Sequence, residues 1–471
     1  MARSILLGRI SESVLSSGSD YDASLTLTAR DARFEIVISV SSDKTQPESV
    51  VGLEFSDDIK CRLIVSGSIA EPRVDYMVER LTSTFVLLEN YLRSPEYRAG
   101  FVFLNVDDYI IWPGLGFSGA RKDGFLIPDA LFLESRAYEA YRESSQQVAL
   151  PWEERIPKAV WRGATTGPYF EDWRRLPRIR LCEIGRTSPE LIDAGVSVIV
   201  QNYETRGEEI LAAGYVKDWM PPEQFGKWKY QIDIDGNTNS WPGLFQKLLS
   251  GSPVIKVGSP YRQWYYDRLI PWVNYVPCRA DLGDLVSQIQ WLIEHDEEAR
   301  EIGLKGRELA LSMIYEQEAA KAVPVIADAV AAQSVYQHIL APEYSKERLY
   351  TDHKGILCYD PPSGKCSQVS PTLLSRVPLL VPLLVVHTDE GRRLMTVDGR
   401  CIESISHDGY ARAADSEEGT GVVEIEIDFK DDGVLYGYNF RIGDQYLCAE
   451  ADGRLTVSRP EVSVWECFQQ R

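Results

Sequence analysis

The chain opens on a two-residue alternation. From Ser4 to about Ile69, segments such as SLTLTARDARFEIVISVSS and VVGLEFSDDIKCRLIVSG set apolar side chains against polar ones, the period of half-buried strands. The period then lengthens. Leu81, Phe85, Leu88 and Leu92 fall three or four residues apart, which predicts an amphipathic helix across VERLTSTFVLLENYLRS. FVFLNVDDY follows, a short continuous apolar run ending in acidic residues, and predicts a buried strand that delivers polar groups to a sheet edge.

From Lys158 onward short β-like runs alternate with helical stretches: AVWRG, a helix through Arg175 to Leu181, VSVIVQN, YQIDIDG, a helix over Trp241 to Ser250, then VIKVG. That order predicts an α/β unit, a parallel sheet flanked by helices. Leu285, Ile289, Leu292 and Ile293 mark a further helix, and Ala299, Ile302, Leu309 and Met313 another, although Gly303 and Gly306 are poor helix formers within it.

Past about Ala341 the helical period stops. Gly355 to Val369, Arg393 to Ile405 and Gln445 to Ser458 resemble one another, each with two short β-like runs about a turn, as in a three-fold β architecture. The last copy, followed by RPEVSVWECFQ, resembles the fascin-type β-trefoil. The expected division is residues 1–155, 156–340 and 345–471, with the place of residues 1–75 open.

At 471 residues, 44% of them hydrophobic, the chain has material for more than one core. Seventy acidic against fifty basic residues give a net charge of −20, which disfavours general binding to nucleic acid or anionic lipid. An anionic ligand must instead meet a local pocket of Arg and backbone N–H groups. The N-terminus has no apolar stretch of signal-peptide length, and the longest apolar run, Val377 to Val386, is interrupted by Pro378 and Pro382. A cytoplasmic protein without a transmembrane segment is expected. Eight cysteines lack CxxC spacing, arguing against a disulfide framework, and all five His residues lie beyond residue 294, so no His-centred metal site or triad arises before it.

The richest segment for chemistry is Lys227 to Val257. An apolar strand, Tyr230 to Ile234, runs into Asp235-Gly236-Asn237, a polar turn, and a helix that opens at Ser240-Trp241-Pro242. Backbone N–H groups and the helix dipole converge there, as a phosphate or ribose requires. Lys247 and Ser250-Gly251-Ser252 close the unit. Asp233-Ile234-Asp235 also forms a D-x-D triplet of the kind that holds a metal, but strand alternation with Ile232 and Ile234 on the opposite face explains it equally. The aromatic residues Trp264, Tyr265, Tyr266, Trp272 and Tyr275 are expected to pack rather than to stack on a ligand.

DIDGNTNSWPGLFQKLLSGSPVIKV and YRQWYYDRLIPWVNYVPCRADLGDLVSQIQWL resemble the signature region of glycosyltransferase family 90, which includes capsule-associated transferases, Rumi-type protein O-glucosyltransferases and bacterial lipopolysaccharide-modifying proteins. WRGATTG, Trp161 to Gly167, with Arg174 to Cys182, resembles its second block, so the likeness runs from about Phe101 to Ile314. The resemblance implies a GT-B-like pair of Rossmann-type domains with a cleft between them. It further implies a metal-independent, inverting reaction with a UDP-sugar as co-substrate and no cofactor.

Asn105-Val106-Asp107-Asp108-Tyr109 matches the family's Asn-Val-X-Asp-Tyr segment, which assigns Asp108 as the general base. Arg162, Gly163, Thr165 and Thr166, with Arg178 or Arg180, are then expected at the donor diphosphate, together with Asp235, Gly236, Asn237, Ser240, Trp241, Lys247, Ser250, Gly251 and Ser252. Ala164 and Thr165 stand where Rumi-type members have Ser and Arg, and Pro242-Gly243 where they have another Arg. Sugar and acceptor preference therefore do not carry over, and the bacterial branch resembles these blocks more fully. The expected acceptor is a hydroxyl on a glycan, lipopolysaccharide or protein. The competing expectation is a catalytically inactive protein that binds carbohydrate through residues 345–471.

Overall fold

A computed structural model describes the backbone of residues 21–29 and 32–41, almost all of 49–333, and parts of 346–470. The alternating N-terminal runs form β1 (Tyr21–Ala29), β2 (Ala32–Ser41), β3 (Val50–Ser56) and β4 (Lys60–Ser66). Two helices follow, α1 (Glu71–Ser83) and α2 (Phe85–Leu92), and then β5 (Gly100–Asn105), β6 (Gly114–Gly116) and β7 (Gly124–Leu126). The predicted single helix is broken at Thr84, whose hydroxyl donates to the Leu81 carbonyl at 2.6 Å and competes with the helical ladder.

All seven strands share one sheet, in the order β1-β2-β4-β3-β5-β6-β7. The alternating start thus completes the first sheet rather than forming a separate β unit. The sheet is mixed, not the all-parallel sheet of a Rossmann-type unit. β1 with β2, β3 with β4, and β3 with β5 are antiparallel, whereas β2 with β4 and β5 through β7 are parallel. The reason is connection length: the links from β1 to β2 and from β3 to β4 are too short for the crossover that parallel neighbours require.

After α3 (Ala130–Glu134) and α4 (Glu139–Val148) comes the regular α/β alternation. Its elements are β8 (Ile156–Ala164), α5 (Pro177–Thr187), β9 (Ile192–Val198), α6 (Gly207–Ala212), β10 (Trp228–Asp233), α7 (Pro242–Leu249), β11 (Val254–Val257) and β12 (Val276–Cys278). These five strands pair in parallel in the order β12-β11-β10-β8-β9. The chain leaves β8 for β9 on one side and returns to β10 on the other. The carboxyl ends of β8 and β10 therefore flank the point where strand order reverses, the place at which open α/β sheets bind ligands.

α8 (Leu285–Glu294), α9 (Asp296–Ser312) and α10 (Tyr315–Gln333) follow. The two sheets have separate cores, but the boundary is not sequential. Leu244, Phe245 and Leu248 of α7 and Ala322, Val323 and Ile326 of α10 pack in the first core, with Val51, Leu53, Leu88 and Leu104. Residues 315–333 thus return to the first unit, although sequence order groups them with the second. Among the described residues no helix is long and apolar enough to cross a membrane.

Of the three similar C-terminal stretches, the first and third are antiparallel hairpins, Ile356–Tyr359 with Cys366–Val369 and Gln445–Ala449 with Leu455–Arg459. In the middle stretch the two strands take different partners. Gly391–Met395 pairs with Leu384–Thr388, and Ile402–Ser404 pairs with Ala411–Ala413. Much of the remaining trefoil-like reading, including Val377 to Leu380 of the Pro-interrupted run, lies outside the described residues.

Candidate functional site

At the carboxyl edge of β10 the chain passes from Asp233 through Ile234 and Asp235 into the Gly236–Trp241 turn that starts α7. This turn reaches across to the first sheet. The Asn237 amide donates to Asp108 Oδ2 at 3.1 Å, and the Thr238 hydroxyl donates to the Asp108 carbonyl at 2.9 Å. The Ser118 hydroxyl in turn donates to Asn239 Oδ1 at 2.6 Å. Asp108, just past β5, thus faces the Gly236–Trp241 turn. Its other oxygen accepts from Arg80 Nη2 of α1 at 2.9 Å and from the Tyr76 hydroxyl at 3.2 Å, and its side chain is 23% exposed.

The α7 N-terminus is strained. Trp241, its N-cap, has φ of 51°, a left-handed conformation that a bulky residue seldom adopts, and its buried indole N–H finds no acceptor. Ser240 donates to Asp233 Oδ1 at 2.6 Å, and Lys247, one to two turns along α7, donates to the same oxygen at 2.9 Å. Burial acts to raise the Asp233 pKa, but Lys247, Lys256 and Ser240 outweigh it and hold the carboxyl below its ordinary value. Asp233 is thus already paired with lysine, which accounts for the first carboxylate of the D-x-D triplet.

A cleft of about 350 Å³ opens beside this turn. Its polar lining includes Arg162, Ser197, Ser240 and Lys247, and its apolar rim includes Tyr141, Trp219 and Phe225. Asp108 does not line it; the turn carries Ser240 on the cleft side and Asn237 against Asp108. Trp219 is 66% exposed at the rim.

The expected donor-side residues divide into groups. Gly163, Ser240 and Lys247 lie on the cleft, and Gly236, Asn237 and Trp241 build its turn. Arg162 also lines the cleft, yet its Nη2 donates to Asp193 Oδ1 at 2.9 Å, an oxygen shared with Lys217. Thr165 is buried and exchanges hydrogen bonds with the Val200 backbone.

Arg178 is a bolt through the switch point. It donates to the carbonyls of Ala164, Ile234 and Asp235 and to the Thr166 hydroxyl, which joins the ends of β8 and β10. Burial lowers its pKa to about 10 against the pull of Asp235 and Asp233. Four of its five N–H donors are used by the protein, so although Arg178 lines the cleft it keeps one donor, too few for the expected two-pronged grip on phosphate. Asp235 is pushed up to about 6, by burial above all, with Lys256 acting against it.

Two expected groups lie elsewhere. Arg180 is on the solvent side of α5, with a long contact to the Asp281 carbonyl at 3.4 Å. Ser250, Gly251 and Ser252 end α7 at the opposite edge of the sheet. There Ser252 donates to the Trp228 carbonyl at the start of β10, and Gly251, with φ of 70°, closes the helix. They missed the site because a crossover helix spans the sheet: its first turn is at the ligand edge and its last turn is not. The aromatic residues Trp264, Tyr265 and Tyr266 pack edge to face with Phe132, Phe245 and one another, and Trp272 packs on Trp291.

The sequence reading did not pick out Arg80, Tyr76, Thr238, Tyr141 or Trp219. Trp219 had a signal, since a Trp in the Pro-rich segment DWMPPEQ is a poor candidate for a core. Arg80 had none, since it sits inside an amphipathic helix like any other charged position.

Comparison with known proteins bears on this arrangement. Residues 135–318 match the model of Glycosyl transferase family 90. Over 160 residues the chain is 35% identical to Protein O-glucosyltransferase 2 of Danio rerio, a match covering 34% of this chain and 29% of that one. It is 31% identical over 163 residues to Protein O-glucosyltransferase 3 of Homo sapiens, covering 35% and 29% respectively. The chain thus spans about three tenths of the length of these curated relatives, both from animals. A crystal structure of Anabaena Alr3699/HepE in complex with UDP aligns with 40% of this chain and 52% of its own at 11% identity and a TM-score of 0.28. The family match begins after Asp108 and includes β8 through α9, and with it the switch point, the Gly236–Trp241 turn and the cleft. By that match residues 135–318 are similar to glycosyltransferase family 90.

Proposed function

We propose that the chain is a metal-independent, inverting glycosyltransferase that moves a sugar from a UDP-sugar to a hydroxyl of a glycan, lipopolysaccharide or protein acceptor. The observation that carries this reading is the contact of Asp108 with the Asn237–Thr238 turn at the switch point, beside a cleft floored by Arg162, Ser240 and Lys247. The names of these relatives, protein O-glucosyltransferases, support a hydroxyl acceptor.

In this reaction the acceptor oxygen attacks C1 of the sugar from the face opposite the diphosphate. Asp108 takes the hydroxyl proton, and the bond from C1 to the phosphate oxygen breaks with its electron pair leaving on the nucleoside diphosphate. Lys247, Arg162 and the α7 N-terminus meet the charge that develops there. The exposed Trp219 ring at the rim offers a stacking face for the base. The C-terminal β segment, read as trefoil-like, would hold a polymeric acceptor and so raise its effective concentration.

The test is Asp108→Asn assayed for transfer and slow donor hydrolysis with a panel of UDP-sugars, alongside UDP-induced thermal shift. Turnover is expected to vanish while the shift persists. A variant that still turns over donor removes the base assignment. Absence of both binding and turnover in the unmodified chain removes the transferase reading.

A further inference from the structure

We infer that Arg80 is a positioning residue for this reaction, fixing the Asp108 carboxylate and the start of α7 in one geometry; the inference rests on the function proposed above. Arg80 stands on α1, outside the segment matched by the family model. Its side chain is 14% exposed and both terminal nitrogens of the guanidinium are engaged. Nη2 donates to Asp108 Oδ1 at 2.9 Å and Nη1 donates to the Val106 carbonyl at 3.0 Å, so the fork grips both the carboxylate and the backbone two residues before it. One constraint sets where Asp108 is, and the other sets which way its carboxylate points.

The faces of the guanidinium are used as well. It lies 3.9 Å from the ring centroid of Tyr76 and 4.2 Å from that of Trp241. Tyr76 belongs to the same helix and also donates to Asp108, whereas Trp241 is the strained N-cap of α7 on the donor side. Phe117 packs edge to face on the same Trp241 ring, at 5.7 Å between centroids. Arg80 therefore braces Trp241 in its left-handed conformation while holding Asp108 toward Asn237. The base and the helix start that receives the diphosphate are set against each other by one planar cation.

A purely structural ion pair would not need this arrangement. Its charge could be supplied by lysine, but the combined fork and stack could not, because an ammonium has neither a plane nor fixed parallel donors. The expected signature is thus a loss in the chemical step rather than in donor affinity, since misplacement of a reacting group by about an ångström costs up to about a hundredfold in rate.

The experiment compares the full chain with its Arg80→Gln and Arg80→Lys variants in steady-state donor hydrolysis and transfer, with UDP-induced thermal shift measured on each. Arg80→Gln is expected to lower kcat at least about tenfold while the donor KM stays within about twofold and the UDP shift is kept. Arg80→Lys, which keeps the charge and disturbs folding least, is expected to recover only part of that loss. Wild-type kcat in either folded variant overturns the inference and leaves the transferase reading intact. A loss expressed wholly in KM, or full recovery by lysine, also overturns it. An unmodified chain that turns over no donor overturns the transferase reading first, and this one with it.

Discussion

Asp235 shows what one residue at the switch point costs the fold. An ordinary Asp side chain titrates near 3.8, whereas burial pushes Asp235 up to about 6 despite Lys256. Between those values the folded chain holds a proton that the unfolded chain has released, so this group's contribution to stability falls as the pH rises from about 4 to about 6 and stays lowered above that. Asp129, the buried N-cap of α3, is likewise pushed up to about 6 by burial and has the same sign. Asp235→Asn removes one of the two terms. Urea unfolding of this variant and the parent is expected to show the variant gaining relative stability between pH 4 and pH 7. A difference that does not change with pH would refute the assignment. Arg178, at the same crevice, shows the opposite economy: a buried cation is tolerated because carbonyls and a hydroxyl take up its donors.

Among the elements, α9 explains two glycines that read as faults in its helical pattern. A methyl group on Gly303 would stand 2.5 Å from the Gly251 carbonyl oxygen, and one on Gly306 would stand 2.8 Å from that of Asn274. The helix lies directly on backbone, and only glycine permits that approach. Gly303→Ala, favourable by helix propensity alone, is therefore expected to destabilise the chain by about 1–3 kcal/mol through overpacking. The measurement is the midpoint of chemical unfolding, and an unchanged or higher midpoint would show that α9 can shift to make room. The Asn237-Thr238-Asn239 run makes a similar point for a turn. Each of the three side chains crosses to the 108–119 segment of the other sheet, so a run that reads locally as a generic turn is a tertiary bridge.

For the molecule as a whole, α10 locks the order of the units. Glu318 is fully buried there. It accepts from both Arg268 terminal nitrogens at 2.9 and 2.6 Å, from Trp264 Nε1 at 3.1 Å and from Lys321 at 2.9 Å. Burial works to raise its pKa, but Arg268 and Lys321 outweigh it and keep the carboxyl below its ordinary value. Glu318→Ala would leave Arg268 without its carboxylate partner. It is expected to cost about 1–3 kcal/mol, because the cations left behind keep access to water, read by denaturant unfolding, and to loosen α10 from the first core. Full stability in that variant would show that apolar packing alone holds the helix.

The sequence by itself determined the strand and helix types over most of residues 21–333, the α/β alternation after Lys158, the family match, and the turn that opens α7. These are local matters: side-chain period, Gly and Pro positions and a run of contiguous motif residues suffice to set them. Only the tertiary structure decided that the first sheet is mixed, that α10 belongs to the first core, that Arg178 is spent on backbone carbonyls, and that Ser250–Ser252 sit at the far edge. It alone placed Arg80 between Asp108 and Trp241. Each of these depends on which distant residues share a face or an edge, and partners separated by tens of positions or more leave no periodicity in the chain from which that could be read.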